Sequence, residues 1–178
     1  MNQINEIKDK IQKEAVKSIY STNTGSTLKP KCRALITMAT GAGKSRCALM
    51  FMDEIKAEKI ALLVPTEKLR DDNWKQEYDD WGFTEYWDKT TRLCYASASK
   101  YSLSEYDLVI CDEIHRLTEL SYQFFIQNTI HNIVALTATP PQELVKIQLI
   151  SKMKLTVSYH LSIDDAVRLG IVADYNID

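Results

Sequence analysis

The stretch Ala39-Thr40-Gly41-Ala42-Gly43-Lys44-Ser45 combines glycines, a lysine and a hydroxyl at the spacing of a triphosphate-binding loop. Phosphate oxygens are held by backbone N–H groups, and glycine lets the chain come close enough to aim them. A helix beginning near Lys44 adds unpaired N–H groups and the positive end of its dipole. In such a loop Thr40, Gly41, Ala42 and Gly43 supply backbone, and Lys44 reaches the β- and γ-phosphates. The Ser45 hydroxyl completes the shell of a Mg²⁺ ion. The general pattern carries Gly at its first position, where Met38 stands here. A plain glycine turn with a surface lysine is the competing reading; an apolar strand before the loop and a helix after it favour the phosphate loop.

Two further segments carry chemistry. Leu108-Val109-Ile110-Cys111 is an apolar run that ends in the pair Asp112-Glu113, followed by Ile114-His115. A buried strand with this ending delivers its carboxylates to the sheet edge where a phosphate loop also lies. Asp112 suits Mg²⁺ binding, and Glu113 suits polarising a water that attacks the γ-phosphate. Alone, an acidic pair after an apolar run is also a solvated turn; the phosphate loop upstream gives it weight. Leu136-Thr137-Ala138-Thr139-Pro140 likewise follows an apolar run, and its hydroxyls are placed to bond the acidic pair or His115. By itself it reads as a turn closed by Pro140.

The elements that must position these groups alternate between helix and strand. Ile4, Ile7, Ile11, Ala15 and Ile19 form one stripe of an amphipathic helix over 4–20, and 21–31 is a polar loop. Strands are expected at 34–38, 60–64, 92–96, 108–111 and 132–136, with another after 155. Helices are expected from the phosphate loop to about Ala57, from Thr66 (as N-cap) to Asp80, around 124–126, over 142–150 and over 162–169. An extended piece follows Gly170. Apolar strands interleaved with helices specify a three-layer α/β domain with a mainly parallel central sheet. Strand order is not legible from the pattern.

Bulk properties set the limits. The chain has 178 residues, 45% hydrophobic and 26% charged, with a net charge of −2. That suits one domain burying roughly 70% of its unfolded surface. The charge balance excludes the general basicity of many nucleic-acid binders, so any such contact must be local. Cys32, Cys47, Cys94 and Cys111 lack paired spacing, and His115, His131 and His160 lack ligand spacing. Buried free thiols in a reducing cytoplasm, or a host cell's cytoplasm, are expected rather than a metal centre. No apolar run approaches the ~20 residues of a membrane span. Trp74, Tyr78 and Trp81 recur at helical spacing, which favours packing on the sheet over base stacking.

The ordered set Ala39–Ser45, Val64-Pro65-Thr66, Asp112–His115 and Thr137–Pro140 resembles the first motor domain of superfamily 2 helicases. It is most similar to the branch of DEAH-like helicases and the translocating subunits of restriction enzymes. Gln12-Lys13-Glu14-Ala15 resembles the glutamine-bearing helix that precedes the phosphate loop there, and 162–170 the segment leading to a second motor domain. The resemblance implies a RecA-like fold over residues 1–178, with 1–31 as the helix and loop that lead in. It implies ATP and Mg²⁺ as cofactors and DNA or RNA as partner. Gln12 would read the adenine edge. Pro65, Thr66 and Arg70 would meet the nucleic-acid backbone, and His115, Thr137 and Thr139 would couple hydrolysis to domain motion.

The family places ATP between two motor domains, the second supplying arginines that stabilise transition-state charge. No second motor domain is recognised within this sequence, so a partner domain is expected, in the same full-length chain or another. Two other readings stay open: the ATPase domain of a viral packaging (terminase-like) motor, and a non-catalytic nucleotide-dependent binding module. Val64-Pro65-Thr66 and Thr137–Pro140 favour the helicase-like reading over the first. Intact Lys44, Asp112 and Glu113 count against the second.

Overall fold

The computed structural model describes residues 3–67, 69–117, 125, 129–140, 151 and 153–171. The strands are β1 (Arg33–Met38), β2 (Ile60–Val64), β3 (Thr90–Cys94), β4 (Leu108–Cys111), β5 (Ile133–Thr137) and β6 (Thr156–Leu161). The helices are α1 (Gln3–Ile19), α2 (Lys44–Glu54), α3 (Trp74–Asp80) and α4 (Ile163–Arg168). The strands form one sheet in the order β3-β2-β4-β5-β1-β6, parallel at every pairing.

Strand alternation sends side chains into two cores, one on each face. Ile36 and Met38 of β1, Ile60, Leu62 and Val64 of β2, and Ile110 of β4 face the helices α1 and α2, with Trp74 and Tyr78 of α3. Leu35, Leu63, Val109 and Ile133 face a second core with Tyr95, Leu103 and Phe125. Burial on both faces is the reason these strands are continuously apolar. The α1 stripe behaves as its spacing requires: Ile11, Ala15 and Ile19 are buried, and Ile7 packs beside them.

Several boundaries moved, each for an identifiable reason. β3 covers Thr90–Cys94 rather than 92–96, because it pairs residue for residue with β2 and the last pair is Val64 with Cys94. Pro65, lacking an N–H, cannot extend that ladder. α2 stops at Glu54, short of Ala57, where Lys56 turns left-handed at φ 52°. The helix expected from Thr66 is divided: Leu69–Asn73 is π-helical and α3 begins at Trp74. Gly82 closes that segment at φ 80°, with the Phe83 N–H returning to the Tyr78 carbonyl. Ser162 caps α4 by accepting from the Asp165 N–H. The helix expected over 142–150 lies outside the described residues, as does the helix expected around 124–126 except for buried Phe125, and the extended piece beyond Ile171. Among the described residues no helix is long and apolar enough to cross a membrane.

Candidate functional site

The phosphate-loop sequence leaves the C-terminal end of β1 and enters α2 at Lys44, with Gly43 as the N-cap residue. Gly41 and Gly43 are left-handed, at φ 89° and 86°. Gly43 is required twice over, since a Cβ there would lie 2.0 Å from the Gln12 side-chain nitrogen. Gln12 is buried, donating from Nε2 to the Ala42 carbonyl at 2.9 Å and accepting from Arg46 Nη1 at 2.6 Å. The same Arg46 nitrogen pairs with Asp9 at 2.7 Å. Hydrogen bonds from Lys13 and then Arg46 hold the Asp9 carboxyl below its ordinary pKa. Helix α1 therefore braces the loop from behind. In this arrangement the Gln12 amide faces the loop and Arg46, where the resemblance assigned it an adenine edge.

The acidic pair sits at the end of β4, between β2 and β5. Asp112 is only 8% exposed, and three bonds fix it. Its N–H donates to the Leu63 carbonyl at 2.9 Å, and its carbonyl accepts from the Tyr95 hydroxyl at 2.7 Å. Its Oδ2 accepts from the Trp74 indole N–H at 2.9 Å. Burial pushes the Asp112 carboxyl above the ordinary value; the Trp74 hydrogen bond and the charge of Lys44 oppose this, while the Glu113 charge adds to it.

Glu113 holds a left-handed backbone at φ 53°, an uncommon state for a non-glycine residue and one enriched at functional sites. His115 Nε2 lies 3.4 Å from Glu113 Oε2, and its Nδ1 lies 2.8 Å from Thr137 Oγ1. The buried Thr137 hydroxyl also accepts the Thr139 N–H at 3.0 Å. In the neutral tautomer that satisfies all three contacts, Nε2–H points to Glu113 and Nδ1 accepts from Thr137.

Loop and carboxylates share one cavity of 460 Å³, walled by Gly41, Gly43, Lys44, Ser45, Asp112 and Glu113. Ser45 and Asp112 bring hard oxygen donors to it, a set that suits Mg²⁺. Pro65 and Thr66 follow β2 at the same sheet edge. The Thr66 hydroxyl accepts the Leu69 N–H at 3.3 Å, so it acts as a cap. The Arg70 guanidinium engages Asp71 through two bonds of 2.7 and 2.9 Å.

A family model described as "Type III restriction enzyme, res subunit" matches residues 5–93. The chain belongs to that family. It is thereby a member of the superfamily 2 helicase and translocase ATPase domains. Its fold is RecA-like and is similar to solved helicase-type domains. One is the Hef helicase domain of Pyrococcus furiosus, at 19% identity and TM-score 0.62, covering 86% of this chain and 38% of that one. Another is the SWI2/SNF2 ATPase core of Sulfolobus solfataricus in complex with dsDNA, at 14% identity and TM-score 0.56, covering 83% and 34%. The chain thus spans little more than a third of either structure's length. No curated protein matches it.

For several residues at this family member's site, nothing in the sequence marked their place there. Arg46 follows the loop directly, yet its link to Asp9 and Gln12 depends on α1 packing beside α2. Trp74 is one of several aromatics at helical spacing, and nothing local to it announces a carboxylate partner. Trp81 departs from the expected packing role: it is 41% exposed and walls the cavity together with Lys8.

Proposed function

We propose that this chain is the ATP-binding first motor domain of a DNA or RNA translocase, completed by a second motor domain. The observation that carries the reading is convergence. The glycine loop after β1 and the carboxylates after β4 meet in one cavity at the carboxyl edge of a parallel sheet.

In this reading the loop from Thr40 to Ser45 cradles the phosphates, and Lys44 neutralises the β- and γ-phosphate oxygens. Ser45 and Asp112 hold Mg²⁺, which supplies charge neutralisation at the phosphates. Glu113 orients the attacking water and accepts its proton. His115 links Glu113 to Thr137 and Thr139, so that movement of the segment after β5 is felt at the catalytic carboxylate. Gln12 fixes the loop and Arg46. Pro65, Thr66 and Arg70 contact the nucleic-acid backbone, Arg70 after release from Asp71.

The chain alone then binds ATP·Mg²⁺ weakly, hydrolyses it slowly and does not unwind duplexes. The test is ATP turnover by the complete motor with single- and double-stranded DNA and RNA, with and without Lys44→Ala. Nucleic-acid-stimulated turnover that Lys44→Ala removes is expected. Unchanged binding and turnover in that variant, or robust unwinding by this chain alone, would overturn the reading.

A further inference from the structure

Trp81 is an exposed aromatic that the phosphate chemistry leaves unused. It caps the end of α3, two helical turns from Trp74 and on the same face. Trp74 marks the carboxylate end of the cavity through its bond to Asp112. Trp81 therefore walls the same cavity about 10 Å further along the helix. A nucleotide with its terminal phosphates at Lys44, Ser45 and Asp112 and its base turned away from the carboxylates would reach this wall.

The indole is held in place from two sides. Its N–H donates to Glu77 Oε2 at 2.7 Å, which sets its orientation. The Arg46 guanidinium lies 4.7 Å from the ring centroid, with Asp9 and Gln12 fixing the arginine from the other side. Arg46 is the residue directly after Ser45, so the stack is tied to the first turn of α2. The cation–π contact takes up one part of the ring, and the exposed remainder borders the cavity. The Gln12 amide is buried and bonded at both ends, to the Ala42 carbonyl and to Arg46.

We propose that Trp81, backed by Arg46, is the platform on which the nucleobase of the bound nucleotide stacks. The proposal rests on the phosphate-loop reading above and adds to it the site of the base. Because every base has a π-face, recognition by this platform is by stacking rather than by hydrogen-bond pattern.

The experiment compares Mg²⁺ complexes of ATP and of inorganic tripolyphosphate, which lacks a base, by calorimetry on this chain. Trp81→Ala is expected to weaken ATP about tenfold, within the range of a lost base–aromatic stack, and to leave tripolyphosphate unchanged. Trp81→Phe keeps a stacking ring and retains most of the ATP affinity. Equal ATP affinity in wild type and Trp81→Ala overturns the proposal, as does an equal loss for both ligands. Lys44→Ala serves as the separate control: it weakens both ligands if the phosphate-loop reading holds. If it weakens neither, that reading fails whatever Trp81 does.

Discussion

The indole N–H of Trp74 donates to Oδ2 of Asp112 at 2.9 Å, joining the start of α3 to the carboxylate at the end of β4. Trp74 follows directly on the π-helical stretch Leu69–Asn73, which is itself capped by Thr66. The segment proposed to meet nucleic acid is therefore in covalent and hydrogen-bonded continuity with the carboxylate proposed to hold Mg²⁺. Trp74→Phe keeps a ring in the core and deletes the donor. A hydrogen bond to a charged group contributes about 1.5–3 kcal/mol. We expect the complete motor carrying this variant to need more Mg²⁺ for half-maximal ATP turnover and to turn over roughly tenfold more slowly. An unaltered Mg²⁺ dependence would show that the indole merely fills space.

Burial of the Asp112 carboxylate costs stability. Its folded pKa is raised, so between the unfolded and folded values the native state binds more protons and stability falls as pH rises through that window. Above the window the charged carboxylate remains a cost. Asp112→Asn keeps an oxygen for the Trp74 donor and removes the buried charge. The variant should melt roughly 2–4 °C higher at neutral pH, a common gain where a functional group is neutralised. The difference should shrink as acid protonates the wild-type carboxyl, while turnover in the complete motor is lost. Thermal melts of both proteins across pH would check it, and a lower melting temperature for Asp112→Asn at neutral pH counts against it.

His115 and Thr137 are read best as a pair. Their 2.8 Å bond, with Glu113 on one side and the Thr139 N–H on the other, forms one connected unit. In a double-mutant cycle of His115→Ala and Thr137→Val, the effects on nucleic-acid-stimulated turnover should be non-additive, by about 0.5–3 kcal/mol. Additive effects would mean that the two side chains act separately.

Gly43 gives a stability prediction with a built-in control. Gly43→Ala places a methyl against Gln12 in a left-handed backbone. Adding Gln12→Ala removes the clash and leaves the backbone strain. The double variant should regain part, not all, of the melting temperature lost by Gly43→Ala. Full recovery would show that φ 86° carries no cost there.

Arg70 is held by Asp71 through two hydrogen bonds. If it serves a phosphate, that bond is the competitor. Asp71→Asn should tighten binding of the complete motor to nucleic acid by about two- to tenfold at low salt. It should also steepen the salt dependence by roughly one phosphate contact. No change in either quantity would place Arg70 outside the interface.

Strands β1, β2, β4 and β5 were legible because each is largely apolar on both faces, as a covered parallel sheet demands. The loop Ala39–Ser45 and the pair Asp112-Glu113 were legible because their chemistry is local: glycines beside a lysine, carboxylates ending a strand. The end of β3 was set by a neighbour, since its ladder with β2 stops just before Pro65. Sequence by itself thus determined the phosphate loop, the acidic pair and the alternation that makes the fold.

Tertiary structure alone decided which groups converge. Strand order brings β4 and β1 to either side of β5, so residues far apart in the chain wall one cavity. Helix packing turns Gln12 toward Ala42 and Arg46, brings Trp74 to Asp112, and leaves Trp81 open where its helical spacing had suggested burial. A periodicity states which face a residue shares; only packing states what that face meets.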